Sequence, residues 1–188
     1  MPELASPNDR DQSRCTAVVG LGYVGLPLCL QFAKSGHRVL GLDIDETKAA
    51  SIRAGRSYIG HIPSEDLARY ASEGRLDATT DFSRVAKASA VLICVPTPLT
   101  SHREPDVSYI LATGEALAPH LSPGTLVVLE STTYPGTTDT ELRGVLEAGS
   151  GLKAGEDFYL AYSPEREDPG NPDSKVATIP KVVGGFTP

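Results

Sequence analysis

Basic clusters are missing from this sequence. Across 188 residues the formal net charge is −7, and no run of Lys and Arg offers the footprint that a nucleic-acid backbone requires. Nucleic acid is therefore not expected as a partner. Long apolar runs are missing as well: none approaches the ~18 residues needed to span a bilayer, so no membrane partner is expected. Residues 1–13 are polar and broken by proline, unlike a secretory signal or transit peptide. They are expected to form a mobile tail ahead of a domain at 14–188, in a cytoplasmic protein.

Cysteine is scarce. Cys15, Cys29 and Cys94 are scattered, without a C-x-x-C pair, and each lies on or beside an apolar segment. Small buried thiols in a reducing compartment are the expectation. His37, His61, His102 and His120 lack metal-ligand spacing, and no metal site is expected. Neither an internal repeat nor a low-complexity tract occurs. At 40% hydrophobic and 22% charged residues the composition is that of an ordinary globular chain, long enough for one substantial domain.

The chain is organised around residues 16–43, TAVVGLGYVGLPLCLQFAKSGHRVLGLD. Ala17 to Val19 reads as a buried strand. Gly20, Gly22 and Gly25 follow in the pattern G-x-G-x-x-G, then a helix over about 23–34 that stops at Gly36. A second apolar strand, 39–42, ends on Asp43, roughly 20 residues past the glycine turn. Each part has a mechanical reason. Gly20 permits the tight turn, Gly22 lets the backbone approach a pyrophosphate, and Gly25 lets helix and strand pack closely. The N–H groups and positive end of the helix face the phosphates. Asp43 accepts hydrogen bonds from a ribose diol and repels a 2′-phosphate, which favours NAD over NADP. Glycine turns alone are common; strand, glycines, helix, strand and acid in register supply the context that the motif needs.

Further along, a short helix is expected from Asp45 to about Ala54, and Lys48, one turn beyond Asp43, either reaches the adenosine ribose or is a solvated lysine. Ser64 is expected to cap the next helix. Strands are expected at 76–80, 90–95, 125–129, 158–162 and 181–183, and helices from Asp81, over 107–120 behind Asp106, and over 138–148. Strands alternating with helices imply an α/β fold: a Rossmann-like, doubly wound, mostly parallel sheet with helices on both faces. Ligands in such sheets sit at the carboxyl ends of strands. The loops after Val19, Leu42, Val95, Leu129 and Tyr162 are thus expected to converge on one cleft. In those loops the run Ser131-Thr132-Thr133 either caps a helix or holds a water or substrate alcohol. Glu165, between Pro164 and Pro169, is a candidate general base or acid, or a solvated glutamate. Arg166 either binds an anionic group or pairs with a neighbouring glutamate.

Four segments carry a resemblance: GLGYVGLPL at 20–28, CVPTPL at 94–99, ESTTYPGTT at 130–138 and YSPEREDPGN at 162–171. Together, and in this order, they resemble the UDP-glucose/GDP-mannose dehydrogenase family. The third and fourth are most similar to its UDP-N-acetylglucosamine (or galactosamine) 6-dehydrogenase branch. The resemblance implies oxidation of the C6 alcohol of a UDP-sugar to a carboxylate, with two NAD⁺ reduced and the aldehyde captured by a cysteine thiolate. It implies that Gly20, Gly22, Tyr23, Val24 and Gly25 hold the pyrophosphate, and Asp43 with Lys48 the ribose. Val95, Thr97, Pro98, Ser131 and Thr132 belong to the dinucleotide pocket. Thr132 also positions the catalytic water, Glu165 serves as general base, and Glu165 with Arg166 meets the substrate. Many relatives carry arginine where this chain has Lys48.

The family's nucleophilic cysteine lies in a glycine-rich motif that none of Cys15, Cys29 and Cys94 matches. By the resemblance, this chain corresponds to the N-terminal NAD-binding domain of a longer enzyme that is a homodimer or higher oligomer. It is expected to bind NAD without completing the oxidation. Two alternatives remain at this stage, another β-hydroxyacid-type dehydrogenase and a non-catalytic NAD-binding module. A methyltransferase fits less well, because the three-glycine spacing suits a pyrophosphate rather than a sulfonium cofactor.

Overall fold

The apolar runs pair into one sheet. The computed structural model describes residues 15–100, 103–164 and 180–187. Its strands are β1 (Cys15–Val19), β2 (Val39–Leu42), β3 (Leu76–Thr79), β4 (Ala88–Ile93), β5 (Leu126–Leu129), β6 (Tyr159–Tyr162) and β7 (Gly184–Gly185). Their order is β3-β2-β1-β4-β5-β6-β7. Every neighbouring pair is parallel except β6 with β7. From β1 the chain steps outward to β2 and β3, then crosses back and places β4 on the other side of β1. That reversal opens a crevice between the carboxyl ends of β1 and β4, where loops leave in opposite directions.

Parallel strands covered on both faces must be apolar on both faces, and these are. Side chains alternate across the sheet. Val18 packs on one face with Leu26, Cys29 and Ala33 of α1 (Gly25–Lys34), Ile52 of α2 (Glu46–Arg53) and Leu67 of α3 (Ser64–Ser72). Its neighbours Ala17 and Val19 face the other way, toward Ile110 and Leu117 of α4 (Ser108–Leu117) and Leu146 of α5 (Arg143–Ser150). Each fully buried leucine or isoleucine in these layers contributes ~1.5–3 kcal/mol. The doubly wound α/β architecture expected from the alternation is what the chain adopts.

Several boundaries differ from the sequence reading. Helix α1 starts at Gly25 rather than at Tyr23, since the turn itself occupies the preceding residues. Ser64 is the first residue of α3 and does not cap it; its hydroxyl accepts the Ser57 N–H at 3.0 Å. The helix expected over 138–148 opens with a π-helical segment, Thr137–Leu142, and continues as α5. Residues 181–183 are irregular, and the last strand is the glycine pair beyond them, antiparallel to β6. An apolar triplet alone does not define a strand; pairing partners do. The 1–13 tail lies outside the described residues.

Candidate cofactor site

The three glycines of the turn are distinguished by what surrounds them. Gly20 has φ +92°, and a Cβ there would sit 2.7 Å from the Cys94 carbonyl oxygen. The turn therefore runs against the loop after β4, and only glycine has both the conformation and the clearance. At Gly25 a Cβ would lie 1.8 Å from the Gly20 carbonyl oxygen, so helix α1 starts in direct contact with the turn. At Gly22 a Cβ would meet nothing within 4 Å. Two glycines close the turn and the third leaves a gap. Helix α1 has no acidic residue in its first turn and no side-chain cap, so its positive end carries no internal counter-charge.

Asp43 stands at the end of β2, 6% exposed. Its Oδ2 accepts the Leu21 N–H at 2.8 Å and the Lys48 ammonium at 3.0 Å, and its Oδ1 accepts the Asp45 N–H at 3.0 Å. Thus the acid is anchored to the glycine turn and to α2 at once. Asp45 caps α2: the Thr47 hydroxyl and amide hold its carboxyl below the usual range. Tyr58, on the loop between α2 and α3, donates its hydroxyl to the Leu21 carbonyl at 2.6 Å. Burial, and then the negative charge of Asp43, push that phenol upward, so it remains a donor.

These elements face a cleft of about 810 Å³, a size suited to a cofactor-scale ligand. Gly20, Gly22, Tyr23, Val24, Asp43 and Lys48 line one side, and Val95, Thr97, Ser131 and Thr132 the other. The Thr97 hydroxyl donates to the Thr132 carbonyl and the Ser131 hydroxyl to the Val95 carbonyl, each at 2.7 Å. The loops after β4 and β5 are thereby tied together. Gly25 and Pro98 do not line the cleft: Gly25 acts from behind the turn, and the Pro98 carbonyl accepts the Asp106 N–H at 2.8 Å. Glu165 and Arg166 lie outside the described residues, so the loops after β1, β2, β4 and β5 are those seen to converge.

Sequence reasoning missed several lining groups. Ile44, directly after Asp43, is 84% exposed at the cleft. Phe82, Tyr109 and Ala112 add apolar surface to the same cleft; nothing in their local sequence marks them. Glu130 is buried at the cleft and pairs with Lys181. An acid closing the apolar run LVVLE was the available signal. A second cavity, of about 500 Å³ and lined by Arg38, Lys87 and Ser122 among others, lies at the amino ends of the strands, away from these loops.

Of the cysteines, only Cys29 is fully enclosed, and burial pushes its thiol up to about 12. Cys15 and Cys94 are half-buried, which corrects the expectation of three buried thiols. Among the described residues no group of three or more His, Cys, Asp or Glu could hold a metal ion. No described helix is long and apolar enough to cross a membrane.

A glycine turn with one open face, a helix start free of acids, and an anchored acid at the end of β2 fit a dinucleotide, and the fold and site together define a nucleotide-binding Rossmann-like domain. Residues 14–188 match the model of the UDP-glucose/GDP-mannose dehydrogenase family, NAD binding domain, and the chain belongs to that family. It is 40% identical over 172 residues to UDP-N-acetyl-D-glucosamine 6-dehydrogenase of Pseudomonas aeruginosa, covering 92% of this chain and 40% of that protein. The crystal structure of NDP-N-acetyl-D-galactosaminuronic acid dehydrogenase from Methanosarcina mazei Go1 superimposes with a TM-score of 0.84 at 34% identity, covering 95% of this chain and 40% of that one. GDP-mannose dehydrogenase of P. aeruginosa, solved as a ternary complex, gives 0.78 at 32% identity over 81% of this chain and 36% of that one. The chain spans about 40% of the length of such relatives.

Proposed function

We propose that this chain is the cofactor half of an NAD-dependent UDP-sugar 6-dehydrogenase, a UDP-N-acetylhexosamine being its substrate class, and that residues 14–188 form the domain that holds NAD. The observation that carries the reading is the contrast between Gly22, open toward the cleft, and Gly20 and Gly25, each closed against backbone. Such a turn admits a pyrophosphate at one point and is rigid on either side of it. Gly20, Gly22, Tyr23, Val24 and Gly25 build that cradle. Asp43 accepts a ribose hydroxyl: a carboxylate offers about four lone-pair directions, and the Leu21, Asp45 and Lys48 donors leave room for one more. Lys48 steadies Asp43. Val95, Thr97, Pro98 and Ser131 form the far wall or its support.

When bound, NAD supplies the two-electron acceptor that alcohol oxidation needs. The remaining roles follow the family resemblance: Thr132 orients a water, Glu165 takes its proton, and Glu165 with Arg166 meets the sugar nucleotide. The nucleophilic cysteine is assigned to the part of the enzyme beyond these residues. That assignment agrees with the inertness of Cys29, whose thiol is held far above neutral pH. The 188-residue chain accordingly binds NAD without completing the oxidation, and the whole enzyme works as a homodimer or larger assembly in the cytoplasm.

Calorimetric titration with NAD⁺ and NADP⁺ tests the reading. The wild-type chain is expected to bind NAD⁺ saturably and NADP⁺ more weakly. Asp43→Ala should weaken NAD⁺ by at least about tenfold, since a hydrogen bond to a charged group contributes ~1.5–3 kcal/mol. Equal affinity for the two cofactors, or no affinity in either this chain or the full-length enzyme, overturns it.

A further inference from the structure

The glycine turn is held from a second side by a residue that no motif contains. We propose that Tyr58 is a positioning residue of the dinucleotide site, its hydroxyl fixing the Leu21–Gly22 peptide so that the Gly22 N–H is presented to the pyrophosphate. The inference rests on the cofactor reading above and names a further determinant of the same site.

The Tyr58 hydroxyl donates to the Leu21 carbonyl at 2.6 Å. That carbonyl and the Gly22 N–H belong to one peptide unit, and none of the described peptide bonds is cis. A trans unit points its C=O and N–H in opposite directions. Drawing the carbonyl toward the loop between α2 and α3 therefore turns the N–H away from it, on the side where Gly22 lines the cleft and a Cβ would meet nothing within 4 Å. The preceding peptide is fixed independently, because the Leu21 N–H is held by Asp43 at 2.8 Å. Two consecutive peptides of the turn are thus each oriented by a side chain from a different element. Donation to the carbonyl also polarises the unit and strengthens its N–H as a donor.

The loop that carries Tyr58 is itself anchored. Ile59 and Ile62 are buried in the core beside α1, and the Ser57 hydroxyl donates to the Ile59 carbonyl at 3.0 Å. The His61 ring stacks on Tyr23 of the turn, with centroids 6.3 Å apart. Tyr58 itself is 38% exposed, so removing its oxygen leaves the packing of the ring in place.

Tyr58→Phe in the 188-residue chain is the test, with NAD⁺, ADP and adenosine as probes and thermal unfolding as the control. Expected is a roughly fivefold weakening for NAD⁺ and ADP alike, with adenosine affinity unchanged and the melting temperature lowered by about 2–4 °C, the size of one lost internal hydrogen bond. Unchanged ADP affinity overturns the inference. So does an equal loss for adenosine, which would mean general loosening of the site. If neither this chain nor the full-length enzyme binds any of the three, the cofactor reading itself fails, and the amide spectrum decides about Tyr58. A shifted, faster-exchanging Gly22 N–H in the variant supports the positioning role; an unmoved one refutes it.

Discussion

Substituting alanine for Gly25 and for Gly22 separates folding from binding within one turn. By helix propensity alone alanine is the better residue at the start of α1, by up to ~1 kcal/mol over glycine. The structure reverses that sign. A Cβ on Gly25 would stand 1.8 Å from the Gly20 carbonyl oxygen, 3.0 Å from its carbon and 3.3 Å from the Val18 side chain. Two of these three are backbone, so no rotamer change relieves them; helix and turn must part by over an ångström. Overpacking of this kind costs ~1–3 kcal/mol, and the backbone obstruction places it at the upper end. The net loss expected for Gly25→Ala is about 2 kcal/mol after the propensity gain. In a chain of this size that lowers the melting temperature by roughly 4–8 °C. Gly22→Ala has no such contact within 4 Å, and its melting temperature should stay within a degree or so of wild type. Its methyl group occupies the gap assigned to the pyrophosphate, however, and NAD⁺ affinity should fall by at least about tenfold. Scanning calorimetry of both variants, followed by NAD⁺ titration of each, reads the pair. A Gly25→Ala protein as stable as wild type, or a Gly22→Ala protein that binds NAD⁺ normally, would refute the reasoning.

Two further outcomes are expected. Ile44 is largely exposed in the free cleft, so Ile44→Ser should leave thermal stability unchanged while weakening NAD⁺ binding about fivefold, through lost apolar contact of a size near 1 kcal/mol; an unaltered titration would remove Ile44 from the site. Cys29 has its folded value raised from 9.0 to about 12 by burial, so the unfolded chain releases that proton first and stability falls across this interval as pH rises. Urea unfolding from pH 8 upward should show a steeper decline for wild type than for Cys29→Ala, and parallel curves would contradict the linkage.

Local pattern accounts for much of what was readable in advance. The apolar runs AVV, VLGL, AVLI and LVVL declared buried parallel strands because a strand covered on both faces has no polar side to show. Gly20, Gly22, Gly25 and Asp43 were legible for a similar reason: each role is set by backbone conformation and by distance along a strand–turn–helix–strand unit. The ion pair of Lys48 with Asp43 was not among the readings, which left that lysine either at the ribose or in solvent. The last strand was misplaced for the opposite reason. Val182 and Val183 have strand-forming side chains, yet the ladder with β6 forms at Gly184 and Gly185, and pairing is not a property of one segment.

Taken alone, then, the sequence determined the α/β class, the parallel sheet, the glycine turn with its acid and the family to which the chain belongs, because these depend on neighbours within a few turns of chain. Only the tertiary structure decided that the loop after β4 closes on the turn, with the Cys94 carbonyl oxygen 2.7 Å from where a Cβ on Gly20 would stand. It also decided that Tyr58 braces the turn from 37 residues away, that Ile44 and Tyr109 line one cleft, and that Glu130 is buried against Lys181, 51 residues later. Those contacts join segments far apart along the chain, and no local pattern specifies which of them will meet.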